Sequence, residues 1–378
     1  MLSRRLKKIS KKSPEIAVIG GGIFGATAAL ILGKRFSVTL FEKNLDILGE
    51  ATWANQYRHH YGFHYPRSIV TINEIKRARK DFERFYKSII VSAPSYYCVS
   101  KTGSKVSPGK YLGIFKRLRI PYKLEYPPRK FLNRSAVGVC IRTPEAVYDY
   151  KRLKHFIVQK IRSSRNIRLK LKHEIVGAKI GNDGEKILKI KSKEHMFKQN
   201  FDYVINATYA RHNNFCSWLG FPEKSLRFRL KELPLLKLST KQRCAVTIMD
   251  GPFATILPAG NSLGVYTLGD VPLSVHRSAK NIKSAAVEDR RWGKITPRYK
   301  EMQKRCAKWF PVVRDAKRLD SMFVILPTET DSEKNDARPT SITRHGHGCW
   351  SVFSGKIVTC VSAAEEILKE LEKDHESR

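Results

Sequence analysis

The 378-residue sequence is poor in acidic residues, in paired cysteines and in uninterrupted apolar segments. Its seven cysteines are scattered, and none forms a C-x-x-C pair, which argues against a disulfide framework and against a zinc site. We therefore expect reduced cysteines and a cytoplasmic protein. No segment predicts a transmembrane span, and no internal repeat or low-complexity linker divides the chain.

The shortage of acidic residues leaves a large positive charge. Asp and Glu number 34 against 72 Lys and Arg, which gives a formal net charge of +38. Such a surplus attracts nucleic acid, anionic lipid or phosphorylated substrates over long distances. A generally basic proteome would produce the same composition without a function for it. Residues 1–14 form a basic tail with six Lys or Arg residues, so nucleic acid stays open as a partner.

An uncharged stretch from Ile16 to Gly33 follows the tail, as it would in a membrane anchor or in a nucleotide-binding fold. Glycines interrupt it in the pattern G-x-G-x-x-G, between a short β-branched strand and an Ala-rich helix. Such glycines permit a tight turn, close approach of a pyrophosphate, and close packing of helix on strand. A second strand, FSVTLFEK, ends at an acid that can accept ribose hydroxyls. A dinucleotide site is predicted, formed by Gly20, Gly22, Ile23, Phe24, Gly25, Glu42 and Lys43.

The segment from Leu48 to Ser68, LGEATWANQYRHHYGFHYPRS, carries a resemblance to a known family. It is similar to the D-amino-acid oxidase and glycine oxidase superfamily, which implies FAD as the cofactor. In that superfamily a small, hydroxyl-containing segment covers the pyrophosphate, and Ala51 and Thr52 fill this place here. His60-Tyr61-Gly62 with Tyr65 resembles the flavin-proximal segment of L-2-hydroxyglutarate and glycerol-3-phosphate oxidoreductases. The same stretch also resembles poorly characterised FAD oxidoreductases associated with surface-sugar biosynthesis.

Three later stretches carry the same resemblance. FDYVINATYARHN resembles the strand that closes the FAD domain, with Ala207 and Thr208 near the cofactor and Tyr209 where a glycine is usual. GPFATILPAG resembles a substrate-domain strand pair. In the C-terminal stretch, Arg338-Pro339 matches an Arg-Pro of glycine oxidase, and Gly355, Lys356 and Ile357 match the loop under the flavin ring.

The resemblance implies an α/β fold with a Rossmann-like FAD-binding domain. An inserted, mainly antiparallel β-sheet domain of α+β type is expected to bind substrate. The FAD domain is predicted to be discontinuous, with the boundaries 15–90, 140–222 and 327–378, and the substrate domain to comprise 91–139 and 223–326. The pattern further predicts five elements: a helix after Ser68 with Ile72, Ile75, Phe82 and Phe85 on one face, a helix capped by Thr143, one strand from Ile167 to Ile180, and helices from Thr296 and about Ser362.

Four residues are candidates for binding or converting the substrate: Arg338, His60, Tyr65 and Tyr266. Arg338 suits a substrate carboxylate because a guanidinium donates two parallel hydrogen bonds, although it could equally be a surface arginine. Near the flavin, His60 could bond substrate, accept a proton or link covalently to the cofactor. The two tyrosines could position substrate or simply fill the core.

The remaining cofactor candidates are Arg58, Val176 and Lys356. Arg58 could bind FAD phosphates or a substrate acid, and Val176 occupies a position that often touches adenine in such enzymes. Lys356, or the backbone N–H groups around Gly355, could offset negative charge on the reduced flavin. His59, His60 and His64 fit no common ligand spacing, so no metal is predicted.

Three functions remain open at this point. The first is FAD-dependent oxidation of the C–N bond of an amine or amino-acid-like substrate by hydride transfer to flavin N5. The amine would be a small molecule or would be carried on a nucleic acid or other polyanion, as in a tRNA-modifying relative. The alternative is oxidation of a 2-hydroxy acid or a (nucleotide-)sugar alcohol. The third is a flavin-holding or nucleic-acid-binding module without catalysis, which Tyr209 in place of glycine would suit.

Overall fold

The computed structural model describes residues 13–193, 195–251, 253–282, 295–333 and 337–377. The predicted basic tail lies outside the described residues up to position 12.

The strands are numbered in chain order. They are β1 (Glu15–Ile19), β2 (Ser37–Glu42), β3 (Arg58–His59), β4 (Ile90–Val91), β5 (Ser95–Ser100), β6 (Lys123–Leu124), β7 (Val137–Thr143), β8 (Ala146–Tyr148), β9 (Ile167–Leu171), β10 (His173–Ile180), β11 (Lys186–Ser192), β12 (His195–Phe201), β13 (Tyr203–Asn206), β14 (Leu226–Lys237), β15 (Ala245–Met249), β16 (Ala254–Pro258), β17 (Val265–Asp270), β18 (Val275–Ala279), β19 (Lys317–Glu329), β20 (Ser341–Gly346) and β21 (Cys349–Phe353). The α-helices are α1 (Ile23–Leu32), α2 (Ile69–Phe85), α3 (Pro108–Arg117), α4 (Tyr150–Ser163), α5 (His212–Leu219), α6 (Tyr299–Cys306) and α7 (Cys360–Glu376).

The N-terminal strand, helix and strand begin a mostly parallel sheet with the order β20-β21-β13-β1-β2-β9. β1 is the centre of this sheet, where Val18 lies beside Leu40 of β2 and Ile205 of β13. Residues of α1 are almost all buried, because the helix packs between the sheet and α7. This is the Rossmann-like arrangement that the glycine spacing predicted, and it brings three pieces of the chain into one sheet.

A second, larger sheet is mainly antiparallel and has the order β18-β14-β17-β16-β15-β5-β7-β6, with β19 also pairing with β14. Only β5 and β15 pair in parallel among the described strands of this sheet. Its core includes Met302 of α6, together with Trp309 and Phe310, which come directly after that helix. The α/β fold with a sheet-rich second part is therefore confirmed. The predicted boundaries at 139/140 and 326/327 fall inside β7 and β19.

The predicted single strand from Ile167 to Ile180 is two strands in two different sheets. β9 ends the parallel sheet beside β2, whereas β10 pairs with β11 and then β12 in a small antiparallel sheet. The break lies at Lys172, whose φ of +57° turns the chain. A non-glycine residue seldom adopts this conformation, so the sequence does not mark Lys172 as a turn. The alternating pattern continues on both sides of it and therefore predicted a single strand.

The helix predicted to begin at Thr143 begins instead at Tyr150. Asp149 is its N-cap, and its side chain accepts a hydrogen bond from the Arg152 backbone N–H at 2.9 Å. The preceding residues form β8, which pairs with both β3 and β4. Thr143 as N-cap is therefore wrong, because pairing with distant strands holds this segment extended.

The other predicted helices form close to their expected places. Ser68 caps α2, and Ile72, Ile75 and Phe82 are buried on its inner face. The helix expected from Thr296 is α6, and the C-terminal helix α7 begins two residues before Ser362. No helix of the described residues is both long and apolar enough to cross a membrane.

Two cysteines depart from the expectation of reduced thiols. Cys98 of β5 and Cys140 of β7 are direct partners in the antiparallel ladder, and the structure joins them as a disulfide. The other five cysteines are free and buried. Because 42 positions separate Cys98 from Cys140, only the strand pairing reveals their proximity.

Candidate active site

A cavity of about 940 Å³ extends from the turn between β1 and α1 to the second sheet. This volume lies within the range of cofactor and ligand sites. Sixteen of the predicted site residues line it: Gly20, Gly22, Ile23, Phe24, Glu42, Lys43, Ala51, Thr52, Arg58, His60, Tyr65, Ala207, Thr208, Arg338, Gly355 and Ile357.

The three glycines of the N-terminal turn have different surroundings. Gly20 has φ +103°, and a Cβ there would lie 2.7 Å from the Ala207 carbonyl oxygen. A Cβ on Gly25 would lie 1.9 Å from the Gly20 carbonyl oxygen. These two glycines are required by the fold itself. A Cβ on Gly22 would instead meet no atom nearer than Thr52 Oγ1 at 3.8 Å, so this position is open toward the cavity.

The open position lies at the N-terminus of α1. Gly22 is the N-cap and provides no side-chain hydrogen bond, and no acidic residue lies in the first turn. The Ile23 N–H donates to Thr52 Oγ1 at 3.1 Å, which ties the Ala51-Thr52 segment to the helix start. Backbone N–H groups and the positive end of the helix dipole favour a phosphate at such a place. The turn therefore fits the pyrophosphate of the predicted FAD.

Glu42 lies at the end of β2 and is only 8% exposed. Its Oε2 accepts from the Gly21 N–H at 2.8 Å, and its Oε1 accepts from the Asn44 N–H at 2.9 Å. Burial nevertheless raises the pKa of this carboxyl above its usual value. Each carboxylate oxygen has two lone pairs, so Glu42 keeps acceptor capacity toward the cavity for ribose hydroxyls. Its placement fits the adenosine end of FAD.

We predict that Gly22→Ala leaves the fold intact and weakens FAD binding. The new methyl group makes only an ordinary van der Waals contact, with Thr52 Oγ1 at 3.8 Å, but enters the space beside the helix N-terminus. We expect the dissociation constant for FAD, measured by isothermal titration, to rise about tenfold or more, with the melting temperature unchanged.

The matched control is Gly113→Ala in α3, where an added Cβ meets nothing within 4 Å. This variant should bind FAD like the wild type. Equal FAD affinity of Gly22→Ala and wild type would contradict a pyrophosphate at this turn.

Arg58 lines the middle of the cavity and belongs to a buried network. Its Nη1 donates to Glu145 Oε1 at 2.9 Å and to the Tyr97 hydroxyl at 2.7 Å, and its Nη2 donates to Thr247 Oγ1 at 3.0 Å. Glu145 Oε2 also accepts from the Tyr61 N–H at 3.0 Å. The network joins the histidine-rich segment to β15 of the second sheet, and so fixes where that segment meets the cavity.

His60, His64 and Tyr65 line the cavity beyond Arg58. The His60 ring centroid lies 5.6 Å from that of Tyr65 and 6.0 Å from that of His64. Burial, aided by the positive charge of Arg58, holds the pKa of His60 well below its usual value. The imidazole is therefore neutral at pH 7, and its buried Nδ1 has no hydrogen-bond partner among the described residues. Such a nitrogen fits a site completed by a ligand.

His59 points elsewhere, with its ring stacked on Phe82 at 5.7 Å. Nowhere do the described residues group three or more His, Cys, Asp or Glu side chains so as to hold a metal ion.

Arg338 and the Gly355 loop also line the cavity. The Arg338 side chain is exposed to the cavity, while its backbone N–H donates to Thr71 Oγ1 at 3.1 Å. Gly355 is likewise open to the cavity. The Lys356 side chain turns away: it is fully buried, and its Nζ lies 3.3 Å from Glu74 Oε2. Burial lowers the pKa of Lys356 to about 8. The loop thus meets the cavity through backbone, while the lysine ties it to α2.

Two further candidates do not reach the cavity. The Tyr266 hydroxyl donates to the Gln242 carbonyl at 2.6 Å and accepts from the Cys244 N–H at 3.2 Å, within the core of the second sheet. Val176 lies at a bulge where the register of β10 against β11 shifts between Ile175 and Gly177. The bulge breaks the alternation of side chains, and Ile175 is the residue that lines the cavity there.

β14 contributes residues to the cavity that were not predicted from the sequence. Arg229, Lys231 and Leu233 line the cavity from this strand, while the alternate residues Phe228 and Leu230 are buried. The period of two in LRFRLKEL was the available signal. The Arg229 guanidinium also donates to Thr328 Oγ1 of β19 at 3.0 Å.

Arg67 also lines the cavity, and its Nε forms a 2.5 Å ion pair with Asp250. The cavity is thus lined by several basic side chains, those of Arg67, Arg229, Lys231 and Arg338.

Comparison with known proteins agrees with this geometry. The family model "DAO: FAD dependent oxidoreductase" matches residues 15–352. FAD-dependent monooxygenase FPY4 of Fusarium mangiferae is 25% identical over 360 residues, covering 93% of this chain and 90% of the relative.

Solved structures with a similar fold include two oxidases. Glycine oxidase from Geobacillus kaustophilus has a TM-score of 0.71 at 13% identity, with 95% of each chain covered. Dithionite-reduced L-alpha-glycerophosphate oxidase from Mycoplasma pneumoniae, solved with FAD bound, has a TM-score of 0.74 at 14% identity, covering 96% of this chain and 95% of that one.

Proposed function

The chain belongs to the DAO family of FAD-dependent oxidoreductases, and from that starting point we propose that it oxidises the C–N bond of an amine bearing an anionic group. Support comes from the basic side chains that line the cavity, above all Arg338. A guanidinium binds a carboxylate through two charge-assisted hydrogen bonds, which orients the substrate as well as holding it. Orientation matters because the reacting C–H bond must face the cofactor.

Each part of the site has a distinct task in this proposal. When bound, FAD takes up the hydride equivalent that leaves the substrate carbon. The glycine turn, Thr52 and Glu42 hold its pyrophosphate and adenosine. The neutral imidazole of His60 accepts a hydrogen bond from an N–H of the uncharged substrate amine, since its Nδ1 is buried, uncharged and without another partner among the described residues. Water then hydrolyses the released imine to a carbonyl compound and an amine.

Oxidation of a hydroxyl group is the second candidate. The same imidazole suits it, because its neutral nitrogen can equally accept a hydrogen bond from a hydroxyl group. Of the two oxidases described above, one is named for glycine and the other for L-alpha-glycerophosphate, so the two substrate classes both occur on this fold. We prefer the amine because Arg338 matches the Arg-Pro of the glycine oxidase resemblance.

Anaerobic reduction of the bound flavin tests the proposal. The panel consists of amino acids, N-alkyl glycines, 2-hydroxy acids, sugar alcohols and an amine-modified oligonucleotide. We expect amines with a carboxylate to bleach the yellow colour and hydroxy compounds to leave it. Bleaching by the oligonucleotide would extend the substrate to amines carried on a polyanion. The net charge of +38 attracts such a polyanion. Bleaching by hydroxy compounds alone would overturn the amine proposal.

The origin of the product oxygen separates amine oxidation from the monooxygenation named for the FPY4 relative. Turnover is run in isotopically labelled water or under labelled dioxygen, with the carbonyl product reduced at once by borohydride to prevent exchange. Imine hydrolysis predicts label from water. Label from dioxygen would favour monooxygenation, and an unlabelled product would indicate that a substrate hydroxyl was oxidised.

A further inference from the structure

Tyr209 follows β13 at the wall of the cavity, in the position where the resemblance implies glycine. Its φ is +49°, in the left-handed region that bulky L residues seldom occupy because the side chain crowds the backbone. A glycine would adopt the same turn without this cost. A strained backbone conformation at a cavity wall indicates that the side chain there has a function.

The side chain reaches from the end of β13 to the loop after β21. Its ring packs on Phe353 with centroids 5.6 Å apart. Its hydroxyl lies 3.5 Å from the point that a Cβ on Gly355 would occupy, and Gly355 is open to the cavity. The Tyr209 hydroxyl therefore lies next to the exposed backbone of Gly355, and Arg338 lines the same cavity.

The electrostatic surroundings keep this hydroxyl a donor. Burial raises the pKa of Tyr209 to about 12, although the nearby positive charge of Arg338 acts in the opposite direction. At neutral pH the group is an uncharged O–H beside a guanidinium. A neutral donor next to a cationic one is suited to an oxyanion, which accepts hydrogen bonds from both.

We propose that Tyr209 is a substrate-binding residue whose hydroxyl, together with the Arg338 guanidinium, forms the site for the oxyanion of the substrate next to Gly355. This inference rests on the proposed function for the position of the substrate. It adds a second donor and a reason for the strained tyrosine. The oxyanion is a carboxylate or a phosphate, since both offer acceptor oxygens of this geometry.

Anion titration of the FAD-loaded enzyme tests the inference without turnover. Acetate and inorganic phosphate are the probes, and the shift of the flavin absorption spectrum reports their binding. Tyr209→Phe keeps the ring on Phe353 and removes only the hydroxyl. We expect the dissociation constant of at least one anion to rise about tenfold, because a hydrogen bond to a charged group is lost.

Tyr126→Phe, at an exposed tyrosine beside Arg134, is the matched control and should leave both dissociation constants unchanged. A rise for acetate alone assigns a carboxylate site, and a rise for phosphate assigns a site that accepts phosphate. Equal affinities of Tyr209→Phe and wild type for both anions would overturn the inference, as would absence of any spectral shift with wild type.

These outcomes are separable from failure of the proposed function. An enzyme that oxidises no amine still supports the inference if Tyr209→Phe weakens anion binding. Conversely, the enzyme could oxidise amines while Tyr209→Phe binds both anions as tightly as wild type. The proposed function would then hold, and Tyr209 would not belong to the substrate site.

Discussion

Replacing Glu145 by leucine is expected to lower the free energy of unfolding by about 3–5 kcal/mol, the range for a buried charge that loses its partner. The side chains of Glu145 and Arg58 are 1% and 4% exposed. Without the carboxylate, the buried Arg58 guanidinium loses its oppositely charged partner, and the Tyr61 N–H loses its acceptor. Chemical denaturation measures the change.

The double variant Arg58→Met with Glu145→Leu should regain much of that loss, because an apolar pair of similar volume needs no compensating charge. The matched control is Asp81→Leu, which removes the exposed ion pair with Arg84 on α2. Exposed pairs contribute about 0–1 kcal/mol, so this variant should unfold nearly like the wild type. A Glu145→Leu variant as stable as the control would show that the network does not hold the segment in place.

Replacing Arg338 by leucine is expected to reduce kcat/KM for amino-acid substrates by about a hundredfold or more, since truncating one member of a charge-assisted pair costs about 2–5 kcal/mol. The loss should appear in KM as well as kcat, because the same contacts bind and orient the substrate. FAD affinity should be unchanged, because the contacts proposed for the cofactor's phosphates and adenosine come from the glycine turn and Glu42.

Arg344→Leu is the control for Arg338→Leu, as it removes the same charge from β20, where Arg344 pairs with Asp374 at the surface. Its kinetic constants should match those of wild type. Wild-type kcat/KM in Arg338→Leu would mean that this arginine does not bind the substrate, and the amine proposal would lose its main support.

The parts of the fold that were predictable from sequence depend on local patterns. The spacing of Gly20, Gly22 and Gly25 identifies the first crossover, because the role of each glycine depends on residues of the turn and its immediate surroundings. The inner face of α2 follows from residues three and four apart. In both cases the sequence neighbours are also the contacts that decide the structure.

The features that were not predictable depend on contacts between distant positions. The Thr143 cap signal is overridden because β8 pairs with β3 and β4. Tyr266 lies in the core of the second sheet because its strand pairing directs it there. Lys356 turns away from the cavity toward Glu74, which is far away in sequence. For β14 the alternation of basic and apolar residues was visible, but only the packing of the sheet shows which face meets the cavity.

Titration of FAD into the cofactor-free protein tests the central claim most directly. The account predicts binding of one FAD per chain, a yellow complex, and weaker binding by Gly22→Ala than by Gly113→Ala. A folded protein that takes up no FAD, or that binds it equally well in both variants, would contradict a cofactor lying along the first crossover.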